Sequence, residues 1–279
     1  MCIFDGLGGL FDDWLGVDNN WPGERPPRYD NRATFIRLCD EGWLNLDGRE
    51  LIEHLDQRIF ENWSGDRCRG IENWRFEKQL ALAEAPAGLE VPLERTISRV
   101  TDLNWVNQVP TAGGIDDCGA HALDLVYRCG SHYSFIELKV LANHALSAAF
   151  QLLCNGLVFA FSRNNSQRLG YSLDEREILR AEGVSLRVLA PALFYEPWCH
   201  EWLEHFENAV NAGLQAYSNE VLGVPMDFGF EAFPAAFDWT QLVGNLNADE
   251  VRREVLWAAN NRRTVFGNNP GVGLVPVLV

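Results

Sequence analysis

At 279 residues, with 47% hydrophobic residues, ten Trp and sixteen Phe, the chain carries too much apolar side chain to remain disordered and enough to bury a sizeable core. A formal net charge of −16 excludes a protein that coats nucleic acid through overall basicity, and leaves any phosphate contact to local clusters of its 23 basic residues. Seven cysteines, an odd number scattered from Cys2 to Cys199 without a CxxC pair, argue for reduced thiols in a cytoplasmic setting and against a disulfide framework or zinc ribbon.

The opening MCIFDGLGGLFDDWLG has no basic leader region and meets Asp12 and Asp13 before any long apolar run, so it makes a poor signal peptide. A Pro-, Asn- and Gly-rich loop is expected over 18–32. Asp47 and Glu50 form a capping pair for a helix reaching about Trp63, and FEKQLALAEA from Phe76 is a further helix candidate. In GLEVPLERTISRV, Leu89, Leu93, Ile97 and Val100 recur at helical spacing, which sets Glu90 and Glu94 one turn apart. Strands are expected at LNWVNQV (103–109), at HALDLVYRC (121–129) and at YSFIELKV, the last two joined by the tight turn CGSH as an antiparallel hairpin. The period then changes, and ANHALSAAFQLLCNGLVFAFSR reads as one long helix in which Ala145, Ala148 and Ala149 allow close approach to a sheet. Its apolar stretch from Ala145 to Phe161 holds Gln151 and Asn155, which suits a buried helix better than a membrane span. A short helix capped by Ser172 with Glu175 and stopped at Gly183 precedes a buried strand, VSLRVLAPALFY. Two helices follow, EPWCHEWLEHFENAVNAGLQAY and NADEVRREVLWAANNRR, separated by an irregular Phe- and Gly-rich segment, with a tail strand expected in VFGNNPGVGLVPVLV.

Chemistry concentrates in FIELKV, residues 135–140. Side chains alternate along a strand, so Phe135, Glu137 and Lys139 share one face while Ile136, Leu138 and Val140 take the other. Two charges on one face of a packed strand must pair, meet solvent or hold something. Lys139 is one of only two lysines, the other being Lys78, and a compact ammonium retained among arginines points to a task. HEWLEH separates His200 and His205 by five positions instead of the four that bring two rings to one helix face, which excludes a zincin site. No P-loop, nucleophile elbow or dinucleotide fingerprint occurs.

Over residues 89–194 the order helix, strand, strand, strand, helix, strand, with ALDLVYRCGSHYSFIELKV at its centre, resembles the PD-(D/E)XK nuclease superfamily. The resemblance implies an α/β (α+β mixed) restriction-endonuclease-like core, a central mixed four-stranded sheet flanked by helices in the order αβββαβ. On that reading residues 87–196 form the core, 1–86 a mainly helical amino-terminal addition and 197–279 a helical carboxy-terminal addition packed on it. The family pattern makes Asp124 and Glu137 ligands of Mg²⁺ or Mn²⁺, with the Leu138 carbonyl as a further ligand and Lys139 orienting or activating the attacking water. It gives Glu94, or Glu90 one turn earlier, the helix-acid role, and Gln151 the glutamine of the following helix. Leu123 stands where many members have Pro, and Asp116 and Asp117 compete for the aspartate role from the preceding loop.

The implied activity is metal-dependent cleavage of phosphodiester bonds, in DNA more than RNA, with no membrane partner. The alternative is a weak or inactive nuclease-fold protein that binds or regulates a partner, and a homodimer is plausible on family grounds. Because phosphate neutralisation dominates nucleic-acid affinity, an acidic nuclease needs basic groups at its cleft; Arg128, Arg163, Arg168 and Arg187 are candidates, with Trp105 to stack an unpaired base.

Overall fold

The computed structural model describes residues 1–17, 28–40, 46–70, 72–79, 88–140, 145–245 and 247–266. In chain order these form α1 (Leu7–Trp14), α2 (Arg32–Asp40), α3 (Gly48–Asn62), α4 (Glu90–Val100), β1 (Trp105–Pro110), β2 (Ala122–Cys129), β3 (His132–Leu138), α5 (Ala145–Asn164) and α6 (Ser166–Leu169). Then come β4 (Gly183–Ala190), α7 (Ala192–Tyr195), α8 (His200–Tyr217), β5 (Met226–Ala232), α9 (Trp239–Asn245), α10 (Ala248–Asn260) and β6 (Arg263–Thr264).

Local signals start most of these elements. The Asp47 carboxylate accepts from the Arg49 and Glu50 amides and opens α3, and Asn247 with Glu250 closes a reciprocal capping box on α10. The two-residue turn Gly130–Ser131, with Gly130 at φ 62°, joins β2 to β3 in the left-handed geometry that tight hairpins need. Antiparallel hairpins thus build β1-β2-β3, whereas β3, β4 and β5 run parallel and require the long crossovers that carry α5 and α8. The result is one mixed sheet in the order β1-β2-β3-β4-β5-β6.

Helices cover both faces. Phe135, Leu186, Val188, Phe228 and Phe230 pack with α5, α8, α3 and α1, while Leu125, Ile136, Leu138 and Leu189 pack with Leu93 and Ile97 of α4 and with Val255 and Ala258 of α10. Helix α5 lies close on the sheet through Ala145, Ala148 and Ala149, all buried, and through Gly156, where a Cβ would come 2.7 Å from Leu186. It is the one helix among the described residues long and apolar enough to cross a membrane, and 83% of its most apolar stretch is buried.

The architecture departs from the sequence reading in several places. The sheet has six strands instead of four, and residues 197–279 are not purely helical, because Met226–Ala232 enters the sheet as β5. Asp227, Gly229 and Glu231 hid that strand by breaking its apolar run; inside the sheet Glu231 ion-pairs with Arg187 at 3.3 Å and Arg262 at 2.8 Å. Residues 172–176 form a turn leading to a single 3₁₀ turn at Glu177–Arg180 instead of a capped α-helix, because the Glu175 amide bonds the Ser172 carbonyl and not its side chain. Residues 76–79 are not helical, and the backbone of Gln79 bonds the Asn107 side chain; the rest of that expected helix lies outside the described residues. A two-residue strand, β6 at Arg263–Thr264, lies just before the stretch 265–279 where a tail strand is expected, and 267–279 lie outside the described residues. Cysteine spacing misled as well: Cys2 and Cys118, 116 residues apart, form a disulfide with Cα atoms 4.5 Å apart, while Cys39, Cys68, Cys129, Cys154 and Cys199 are thiols.

Helices α3 and α8 cross where a Cβ on Gly213 would stand 2.1 Å from the Gly48 carbonyl oxygen, and one on Gly48 would stand 1.7 Å from that of Ala209. Both obstacles are backbone, which cannot rotate away. Gly213→Ala is therefore expected to cost at least ~1–3 kcal/mol through overpacking, measured as a lowered denaturation midpoint with native metal-free spectra.

Candidate active site

Strands β2 and β3 hold register from Cys129 opposite His132 to Leu125 opposite Ile136. One more step along that register sets Asp124 opposite Glu137. There the Asp124 Oδ2 accepts the Leu138 amide at 2.9 Å. The alternation expected of FIELKV holds: Phe135 lies in the core under α5, and Ile136, Leu138 and Val140 lie in the core under α4 and α10. Glu137 shares the Phe135 face and is 1% exposed.

Such burial needs compensation. Lys139 Nζ donates to Glu137 Oε1 at 2.7 Å and stands 3.9 Å from Glu90 Oε2. Glu90, in the first turn of α4, also accepts the Val140 amide at 3.3 Å. The second oxygen of Glu137 is buried without a hydrogen-bond partner. Burial, then the neighbouring Asp124 charge, raises the Glu137 carboxyl above its ordinary range against the pull of Lys139. Burial raises Asp124 likewise, with Lys139 and the Leu138 amide opposing. For Lys139, burial works against the ammonium, but Glu137 and Asp124 outweigh it and the net shift is upward, so the side chain stays charged.

Glu94 occupies a separate niche on α4. It is 2% exposed, its Oε1 accepts from Asn107 Nδ2 at 2.8 Å and its Oε2 from Gln108 Nε2 at 2.6 Å. Burial lifts its pKa to about 7, the two amides lower it, and the Asp124 charge adds a further rise. Asn107 is itself fully used, since it also donates to the Gln79 carbonyl and accepts from the Gln79 amide and Ser98 Oγ. Gln108 adopts φ 50°, a left-handed conformation uncommon outside glycine, in the middle of β1. Sequence reasoning missed both amides. Their signal was the unusual pair Asn-Gln inside a strand, two amides that need hydrogen-bond partners wherever they are buried.

Asp124, Glu137, Lys139 and Glu90 thus come together, with Glu94 one turn away on α4. Gln151 does not join them: it is exposed on α5 and lines a cavity with Gln108. Leu138 touches the group through its amide. Asp116 lies elsewhere, bonded to the Ser64 backbone at 3.0 Å, and Asp117 is exposed. The proposed phosphate contacts are otherwise engaged. Arg128 pairs with Glu177 at 3.2 Å, Arg163 donates to the Leu179 and Ala181 carbonyls, Arg168 lies over Trp63, and Arg187 is buried against Asp227 and Glu231. Trp105 is buried under Arg262 and against Tyr127, so it offers no free face to a base. Arg95, beside Glu94, is half-buried without an ion-pair partner among the described residues.

Among the described residues no three Asp, Glu, His or Cys side chains converge tightly enough to cage a metal ion. The chemistry of Asp124 and Glu137 nevertheless fits a hard divalent cation that keeps several waters: oxygen donors only, pKa values raised by burial and an unpartnered buried oxygen. Comparison of the chain with protein-family models, curated proteins and solved structures gave no match.

Glu94 links the site to stability. Its folded pKa of about 7 exceeds the ordinary 4.5, so the folded state holds the proton more tightly and stability is lost as pH rises from about 4.5 to 7. The loss assigned to this one group is about 3 kcal/mol. Denaturation in EDTA at pH 5 and pH 8 should give a shallower decline for Glu94→Gln than for the wild type; equal declines would contradict the buried-carboxyl assignment.

Proposed function

We propose that this protein is a metal-dependent nuclease of the PD-(D/E)XK type, hydrolysing phosphodiester bonds in nucleic acid, DNA in preference to RNA. One observation carries the reading: Asp124 and Glu137 meet across a β-hairpin with Lys139 bonded to Glu137, in the element order α4-β1-β2-β3-α5-β4 that the resemblance requires. An ExK on a surface strand is common, but here Glu137 is 1% exposed and one of its oxygens lacks a partner. A protein does not bury such a carboxylate beside another for stability alone.

In this reading Asp124 and Glu137 hold Mg²⁺ or Mn²⁺, and Glu94 acts behind them through the amides that fix it. A bound divalent ion supplies charge neutralisation at the phosphate and a water acidified toward neutral pH. Lys139 remains an ammonium, so its role is to donate hydrogen bonds to the attacking water or the phosphate instead of removing a proton. Glu90 holds the Val140 amide and approaches Lys139, which fixes the lysine's direction.

The engagement of Arg128, Arg163, Arg168 and Arg187 in internal contacts favours a second reading, a nuclease-fold protein that binds or regulates a protein partner or a second copy of itself. Leu256 and Trp257 are exposed on α10 and would serve such an interface.

Purified protein incubated with single-stranded DNA, duplex DNA and RNA in Mg²⁺, Mn²⁺ or EDTA separates the two. Metal-dependent cleavage should fall at least ~100-fold in Glu137→Ala and in Lys139→Ala, both folded by circular dichroism. No cleavage under any condition, with no rise in melting temperature on adding metal, would leave the binding role.

A further inference from the structure

Beside the carboxylates lies a cavity of about 580 Å³, within the ~300–1,000 Å³ of small-ligand sites. It shares a wall with the site, since Gln108 both lines it and donates to Glu94. Ala122, another lining residue, precedes Asp124 by two positions on β2, about 7 Å along the strand. The lining has a definite chemistry. Phe4, Tyr29, Phe150 and His121 contribute aromatic rings, and among the described residues no Asp, Glu, Lys or Arg lines it. Burial keeps the His121 imidazole below its ordinary pKa and therefore neutral. Amides complete the wall: besides Gln108, Gln151 is exposed there, and Asn155, whose Oδ1 accepts from the Thr111 hydroxyl, also lines it.

A neutral cavity of ring faces and amide edges rejects a phosphate and accepts a flat, uncharged heterocycle with hydrogen-bonding edges. We infer that it receives one unpaired nucleobase of the nucleic acid whose phosphodiester meets Asp124 and Glu137, which makes single-stranded or locally opened nucleic acid the substrate class. This inference rests on the nuclease reading for its biological meaning, but the cavity is testable without it. Stacking on the rings supplies affinity for any base, and a paired base cannot enter because its faces are stacked and its edge is occupied. It also gives Gln151 a place in base binding, apart from the carboxylates.

The test uses the full chain and deoxyadenosine and thymidine, which carry no phosphate, titrated by calorimetry in EDTA. Ala120→Trp, at an exposed lining position, fills the mouth of the cavity and should weaken nucleoside binding at least tenfold, while Glu137→Ala should bind as the wild type does. In cleavage assays the wild type should prefer single strands over duplex at least tenfold, and Ala120→Trp should lose that preference. Nucleoside binding without cleavage would sustain the cavity and end the nuclease reading. Cleavage without nucleoside binding, or nucleoside binding untouched by Ala120→Trp, would overturn the cavity assignment and leave the nuclease reading in place. Absence of both would overturn both.

Discussion

A carboxylate sealed inside a protein must find a proton, a cation or a donor on each oxygen, and Glu137 has only Lys139 on one of them. Much of the surrounding structure answers that deficit. Lys139 leans on Glu137 and toward Glu90, Asp124 takes the Leu138 amide, and Glu94 is held by two amides of β1. Three carboxyl groups therefore gather about one ammonium, with Glu94 in its own niche nearby, at the edge of two hydrophobic cores. Arrangements of this kind weaken a fold, and they persist where the local surplus of negative charge has a use.

How the hairpin and its neighbours could be anticipated follows from the range of the forces that make them. The β2-β3 turn and the α3 cap are set by residues within four positions of one another, so their chemistry stands in the sequence itself. The Glu90 and Glu94 stripe is equally local. Strand β5 was hidden because Glu231 looks like a surface residue until Arg187 and Arg262 arrive from β4 and from the segment after α10. Asn107 and Gln108 were hidden for the same reason, as an amide announces nothing until the acid it restrains is brought across from α4.

Charge allocation separates this chain from a generic phosphate binder. Several of its arginines are spent inward: Arg187 and Arg262 on Glu231, Arg163 on two carbonyls at the end of the 3₁₀ turn, Arg128 on Glu177 and over the Phe76 ring. Planar guanidinium groups suit such buried, multiply bonded positions better than lysine does. The long reach of arginine makes sequence proximity to a site a weak guide to its partner. On the proposed nuclease reading, with few cations free to neutralise phosphates, nucleic-acid binding would have low affinity and weak salt dependence.

The bond between Cys2 and Cys118 closes a covalent ring that contains α1 through β1. Confining so long a loop removes disorder from the unfolded chain worth about 5 kcal/mol in the chain-entropy description. That sum compares with the whole stability of many domains. Where thiols are kept reduced the ring opens, and the amino-terminal layer is then held by packing and by non-covalent polar contacts such as Asn62 on the Ile3 and Asp5 carbonyls. The same polypeptide is therefore two materials of different resilience, chosen by the redox poise of the compartment in which it works.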